Sequence, residues 1–147
     1  MKPRLFPAIL LLALLCSIQL AGAAEPKHVR RLLKKGECEA CKLAQANLSG
    51  AELSGALLSG SNLNSADLSN ANLRNADLSK TNLSNAILRD ADLKEANLNN
   101  AKLRYTNLHR ADLRGIDLTQ VNLNEAWLCQ TQMPDGSISN RDCVRVH

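Results

Sequence analysis

The chain has 147 residues, enough for one domain, and a formal net charge of +4. Only Phe6, Tyr105 and Trp127 are aromatic, which excludes a globular core built around aromatic side chains. The apolar residues are mostly Leu and Ala, and this composition favours a narrow, stacked interior.

Residues 1–24 are typical of a secretory signal peptide. Lys2 and Arg4 precede an apolar stretch from Leu5 to Leu20, and small residues follow it. We expect cleavage after Ala23 or Ala24.

A membrane anchor is the alternative, but the apolar stretch is shorter than the ~18 residues of a span and contains Ser17 and Gln19. Cys16 would mark a lipoprotein only after a small residue, whereas Leu14 and Leu15 precede it. The sequence therefore predicts export to the periplasm or the medium, or to the thylakoid lumen if the source is a cyanobacterium. No stable membrane anchor is expected after cleavage.

Residues 25–40 are predicted to form an N-terminal cap. From Lys27 to Lys35, apolar residues at helical spacing lie among basic ones, and Gly36 favours the left-handed conformation that ends a helix. A basic helix could bind a membrane surface or an anion. We favour a capping role, because the first coil of a stacked β structure has an open edge and an open apolar end.

Cys38 and Cys41 form a CxxC motif, which occurs in redox proteins, metal sites and structural disulfides. No second CxxC is present to complete a zinc site, and Lys42 replaces the His of a c-type haem attachment. In an exported protein we favour a structural disulfide. A thiol-redox function is an alternative that requires an accessible thiolate.

A leucine occurs at every fifth residue from Leu43 to Leu128, and Met133 takes the next position. The residue two before each leucine is small, most often Ala, and the residue just before it is usually Asn or Asp. A period of five fits neither a helix nor a continuous strand. Each repeat instead predicts a short extended piece followed by two corner residues.

This pattern, Ala-Asp-Leu or Ala-Asn-Leu followed by two variable residues, closely resembles the pentapeptide repeat family. The resemblance implies an all-β fold, a right-handed quadrilateral β-helix with one repeat per side and four repeats per coil. The predicted organisation is a signal peptide at 1–24, a capping helix with a Cys turn at 25–40, the β-helix at 41–133 and a C-terminal capping tail at 134–147.

The second corner residue changes along the chain. Gly and Asn dominate early and favour type II corners, which need a positive φ at this position. A different turn is expected later, where the residues are Lys80, Asp90, Glu95, Tyr105 and Arg110.

Two outward features are candidate partner contacts. With 20 residues per coil, Arg74, Lys94 and Arg114 form a basic column beside an acidic one that holds Asp92 and Asp112. The basic column could bind an acidic partner, but we favour mutual neutralisation of the charges on a solvated face.

The second feature is Trp127, predicted to point outward in the last coil, where a lone Trp could be a contact hot spot. We expect the tail after Met133 to fold over Trp127, and Ile138 and Val144 to cover the open top of the coil.

The mature chain keeps Cys38, Cys41, Cys129 and Cys143, which allow three pairings. In a β-helix of this length the two cysteine pairs lie ~20 Å apart on the β spacing, beyond the about 7 Å between bridged Cα atoms. The expected disulfides are therefore Cys38–Cys41 and Cys129–Cys143. The second closes a loop and is expected to stabilise the C-terminal cap by ~3 kcal/mol in the loop-entropy model.

No catalytic, cofactor or metal motif is recognisable, and the histidines are scattered. We favour a monomeric, non-catalytic exported scaffold that binds an unknown protein or glycan and no nucleic acid. The alternative implied by the resemblance is a DNA mimic that binds topoisomerases. That role needs a strongly acidic rod, whereas residues 43–133 hold nine acidic and eight basic side chains.

Overall fold

The computed structural model describes residues 23–143. The predicted signal peptide therefore lies outside the described residues except for Ala23 and Ala24, and Val144 lies outside them as well. Within the described range, no helix is long and apolar enough to cross a membrane.

Helix α1 spans Pro26–Lys35. Its first residue is a proline, which loses no hydrogen bond at that position. It ends at Gly36, whose φ is 69° and whose N–H donates to the Leu32 carbonyl at 2.8 Å. Leu32 and Val29 pack against the core of the repeats, but Leu33 is 55% exposed.

The repeats wind into a rod. Parallel bridges join residues 20 apart, from Glu37–Leu57 to Asp112–Gln132. They fall into four series, so the rod has four sides and each coil contains four repeats. We name the sides by the central outward residues of their repeats: side 1 has Asn47, Asp67, Ile87, Asn107 and Trp127; side 2 has Glu52, Asn72, Asp92, Asp112 and Gln132; side 3 has Glu37, Leu57, Asp77, Asn97 and Asp117; side 4 has Lys42, Asn62, Asn82, Lys102 and Asn122.

The core is a stack of leucines with alanines between them. The leucines at every fifth position from Leu43 to Leu113, and Leu128, are at most 3% exposed, and most of the alanines two residues before them are also buried. Where Thr replaces Ala, its hydroxyl is satisfied by a backbone carbonyl. Thr106 donates to the Leu83 carbonyl at 2.8 Å, and Thr131 donates to the Leu108 carbonyl at the same distance. A buried hydroxyl is tolerated because it has this partner.

Each repeat makes its hydrogen bonds in fixed directions. The central outward residue uses both its N–H and its C=O toward the preceding coil: Asn62 donates to the Cys41 carbonyl and accepts from the Leu43 N–H. The Leu N–H and the N–H of the second corner residue donate to the following coil. The backbone of each coil is therefore complete only when a coil, or a substitute for one, lies on both sides of it.

The Asn or Asp before each leucine has a structural reason. In every repeat that carries one, its side-chain oxygen accepts a hydrogen bond from the N–H of the first corner residue, for example Asp67 from Ser69 at 2.9 Å. The same bond recurs at side-chain oxygens of Asn and Asp on all four sides. Asn and Asp are the residues whose short side chains readily make such a turn.

The expectation of a different late turn is wrong. Lys80, Asp90, Glu95, Tyr105 and Arg110 all have φ between 56° and 58°, as a type II corner requires. The reason is the bond that each makes to the next coil, such as Lys80 N–H to the Asn99 carbonyl at 2.9 Å. That stacking overrides the ~1–2 kcal/mol cost of the left-handed conformation for these residues.

The stack is interrupted on sides 3 and 4 of the last coil. Asp117 and Asn122 form no bridge to the coil before them, and neither Gln120 nor Glu125 has a positive φ. Ile116 and Val121 occupy the small-residue position in these repeats. Ile116 is buried in the core, whereas Val121, Leu118 and Leu123 are only partly buried.

The expected covering of Trp127 and of the top by Ile138 is also wrong. Trp127 is 54% exposed and Ile138 is 61% exposed. The tail instead forms an antiparallel hairpin from β1, Thr131–Gln132, and β2, Ile138–Ser139. The hairpin directs Ile138 outward.

Polar side chains after the hairpin complete the last coil. The Asp142 carboxylate accepts from the Leu128 N–H at 3.0 Å, and the Asn140 amide oxygen accepts from the Gln130 N–H at 3.1 Å. The Arg141 guanidinium donates to the carbonyls of Leu123 and Ala126. These atoms stand where the backbone of another coil would otherwise pair.

Replacing Leu88 with Asp is expected to destabilise the rod by several kcal/mol. Leu88 is fully buried in the leucine stack, and a carboxylate there has no partner. Thermal or urea unfolding followed by circular dichroism measures the loss.

Ser84→Asp is the matched control, because Ser84 lies at a corner and is only partly buried. It should unfold within about 0.5 kcal/mol of the wild type. Equal destabilisation by both substitutions would contradict the inward assignment of the leucines.

Candidate interaction surfaces

The structure brings the basic column together. Arg74, Lys94 and Arg114 lie one coil apart at the corner that follows side 2. Each contacts a carboxylate of that side: Arg74 lies 3.3 Å and Lys94 lies 3.1 Å from Asp92. Lys94 is also 3.1 Å from Asp112, and two guanidinium nitrogens of Arg114 donate to the Asp112 carboxylate.

These ion pairs make the basic column and the side-2 carboxylates a continuous series of alternating positive and negative charges. Burial raises the pKa of Asp112, but hydrogen bonds from the Arg114 side chain and backbone and from Lys94 outweigh it and bring the pKa to about 2. Burial likewise raises the pKa of Asp92, and its hydrogen bonds from Lys94 and Arg74 bring it below the usual value. A groove of about 380 Å³ lies against the column, but each of its cations is already paired.

Trp127 does not join the basic column. It lies on side 1, whereas the column lies at the far corner of side 2. Its neighbours on side 1 form a different surface. Ile87 is 41% exposed two coils before it, which corresponds to ~10 Å at the β spacing. Tyr105 is 44% exposed at the corner where side 1 begins, and its ring centroid lies 4.8 Å from the Arg104 guanidinium.

We call Ile87, Tyr105 and Trp127 the side-1 patch. The sequence predicts Trp127 as a contact residue but not Ile87 or Tyr105. The available signal was composition: Ile87 stands where most repeats have Asn or Asp, and Tyr105 stands at a corner that favours Gly or Asn.

The cysteines form the two pairs expected from the sequence. The Cα atoms of Cys38 and Cys41 are 5.3 Å apart, and those of Cys129 and Cys143 are 4.7 Å apart. Cys38 is fully buried and Cys41 is 3% exposed, so neither sulfur is presented to a thiol partner. Among residues 23–143, no cluster of His, Cys, Asp or Glu could hold a metal ion.

Asp112→Asn is expected to lower stability near neutral pH by about 1 kcal/mol, after a discount for solvent screening. The amide keeps the bond to the Arg114 N–H but loses the charge that pairs with Lys94 and Arg114. The folded pKa lies below the unfolded one, so the stabilisation is present above about pH 4 and is lost as the pH falls toward 2.

Urea unfolding of both proteins between pH 7 and pH 2 measures this difference, which should shrink over the lower part of the range. Glu39→Gln, an exposed substitution, is the control and should show no such difference. A constant gap between wild type and Asp112→Asn at all pH values would contradict the role of the charge.

Comparison with known proteins agrees with this geometry. The family model described as pentapeptide repeats, with 8 copies, matches residues 37–75, 66–104 and 96–133. A comparison with curated proteins finds no match. Among solved structures, a pentapeptide repeat protein from Nostoc Pcc 7120 is 37% identical with a TM-score of 0.56, covering 63% of this chain and 78% of that one.

A second solved structure is a pentapeptide repeat protein from the thylakoid lumen of Arabidopsis thaliana. It is 32% identical with a TM-score of 0.46, and the match covers 60% of this chain and 59% of that one. The repeats, the four-sided coils and the family match have one explanation. This chain belongs to the pentapeptide repeat family and has its right-handed β-helical repeat fold.

Proposed function

We propose that the protein is an exported, non-catalytic scaffold that binds a protein or glycan partner through the side-1 patch. The observation that carries this proposal is the exposure of Trp127 in line with Ile87 on one flat side. Trp and Tyr side chains present a large, rigid apolar surface with a polar atom for hydrogen bonding, and both are enriched in contact hot spots.

The charges of the rod are balanced, which favours a partner whose contact surface is uncharged. The basic column pairs with Asp92 and Asp112, and the rod carries nearly equal numbers of acidic and basic side chains. A duplex-mimicking surface would need a continuous acidic face instead. The buried Cys38–Cys41 disulfide likewise favours a structural over a redox role. In this proposal α1 and the tail act as caps on the two ends.

Trp127→Ser is expected to weaken partner binding at least tenfold, because the substitution removes the largest exposed apolar surface of the patch. The wild-type chain, immobilised, is used to capture ligands from an envelope extract of the source organism and from a glycan array. Leu57→Ser is the matched control, since Leu57 is 44% exposed on side 3 and should not affect binding. Equal binding by all three proteins, or capture of a topoisomerase, would contradict the proposal.

Export has its own test. The full chain is expressed in a bacterial host, and the N-terminus of the extracytoplasmic product is determined by mass spectrometry. We expect it to begin at Ala24 or Glu25. A product found only in the cytoplasm and retaining Met1 would refute the export part of the proposal without affecting the patch.

A further inference from the structure

The underside of the first coil is only partly covered. In the rod, the N–H and C=O of each central outward residue point toward the preceding coil. On side 4, Glu25 and the first turn of α1 substitute for that coil: the Lys42 N–H donates to Nδ1 of His28 at 3.1 Å, and its carbonyl accepts from the Glu25 N–H at 3.0 Å. On side 1, neither the N–H nor the C=O of Asn47 has a partner among the described residues.

A groove runs along this unpaired edge. It has a volume of about 820 Å³ and lies between α1 and the start of side 1. Val29 and Leu33 line the helix side, and Ala46 and Asn47 line the coil side. The apolar side chain of Leu33 is 55% exposed, whereas that of its neighbour Leu32 is buried. An open β edge beside exposed apolar side chains is the arrangement that accepts an added strand.

The groove is also cationic. Arg30 and Lys34 line it one helical turn apart, and neither forms an ion pair within residues 23–143. Helix α1 contains five Lys and Arg residues and no acidic residue. None of the described residues that line the groove is acidic, in contrast to the Asp92 and Asp112 carboxylates beside the basic column.

We propose that this N-terminal groove binds an extended acidic peptide by strand addition. The backbone of the peptide pairs with the N–H and C=O of Asn47, one of its apolar side chains packs against Val29 and Leu33, and an acidic side chain or its carboxyl terminus pairs with Arg30 and Lys34. The unpaired backbone donor and acceptor favour a peptide over a lipid headgroup, because a headgroup does not offer both groups at strand spacing. This site is at the opposite end of the rod from Trp127 and does not depend on the side-1 patch.

The test uses the full chain and a displayed library of random twelve-residue peptides. We expect the selected peptides to be enriched in Asp, Glu and β-branched residues. The strongest of them is then synthesised, and its binding is measured by fluorescence anisotropy. Hydrogen exchange of the Asn47 amide, followed by NMR, should slow at least tenfold in the complex, because the added strand accepts its hydrogen bond.

Two pairs of variants distinguish binding in the groove from non-specific effects of charge and hydrophobicity. Arg30→Glu combined with Lys34→Glu should weaken binding at least tenfold, whereas Lys80→Glu combined with Lys102→Glu, exposed residues elsewhere on the rod, should not. Leu33→Gln should weaken binding similarly, and Leu57→Gln should leave it unchanged.

Several outcomes would overturn the proposal. They are selection of no peptide that binds below millimolar concentration, equal effects within either pair of variants, and an unchanged exchange rate at Asn47. Two others identify a different occupant and also refute it: binding of the chain to anionic lipid vesicles that Arg30→Glu with Lys34→Glu abolishes, or a homodimer that Leu33→Gln dissociates.

Discussion

The rod depends on backbone hydrogen bonds between residues 20 apart. Leucine burial drives the chain together, but burial alone does not specify four flat sides. The directional bonds do, because each outward residue turns both of its backbone groups to the coil before it, as Asn62 does toward Cys41 and Leu43. Corner conformation, side-chain choice and end structure all follow from keeping these bonds complete.

This dependence explains which features were predictable from the sequence. The period of five, with Leu inward and Ala two residues before it, reflects the packing of every coil and therefore predicted the fold. The corner types were not predictable from composition, because the bond from Lys80 to Asn99 is made by the backbone and is indifferent to the side chain. The local preference of Lys against a positive φ was outweighed by the stacking of its neighbours.

The ends were harder to predict for a different reason. The sequence predicts that Ile138 covers the apolar end of the last coil, but its side chain is exposed. The tail instead supplies hydrogen-bond acceptors for the N–H groups of Leu128 and Gln130. The local sequence pattern does not show which backbone N–H groups will lack a partner in the next coil. The side-1 patch was not predictable for the same reason. Ile87, Tyr105 and Trp127 are distant in sequence, and they come together only because residues 20 apart pair in neighbouring coils.

The way Asn140 and Asp142 complete the last coil has a consequence for how such a chain can change its length. Both side chains accept from N–H groups of the side-1 repeat near the end of the rod, and the corresponding N–H groups point to the following coil in repeats on all four sides. The tail therefore moves together with the repeat that it completes. Gain or loss of repeats in the middle of the rod leaves these contacts intact, so the rod can change its length without a new end structure.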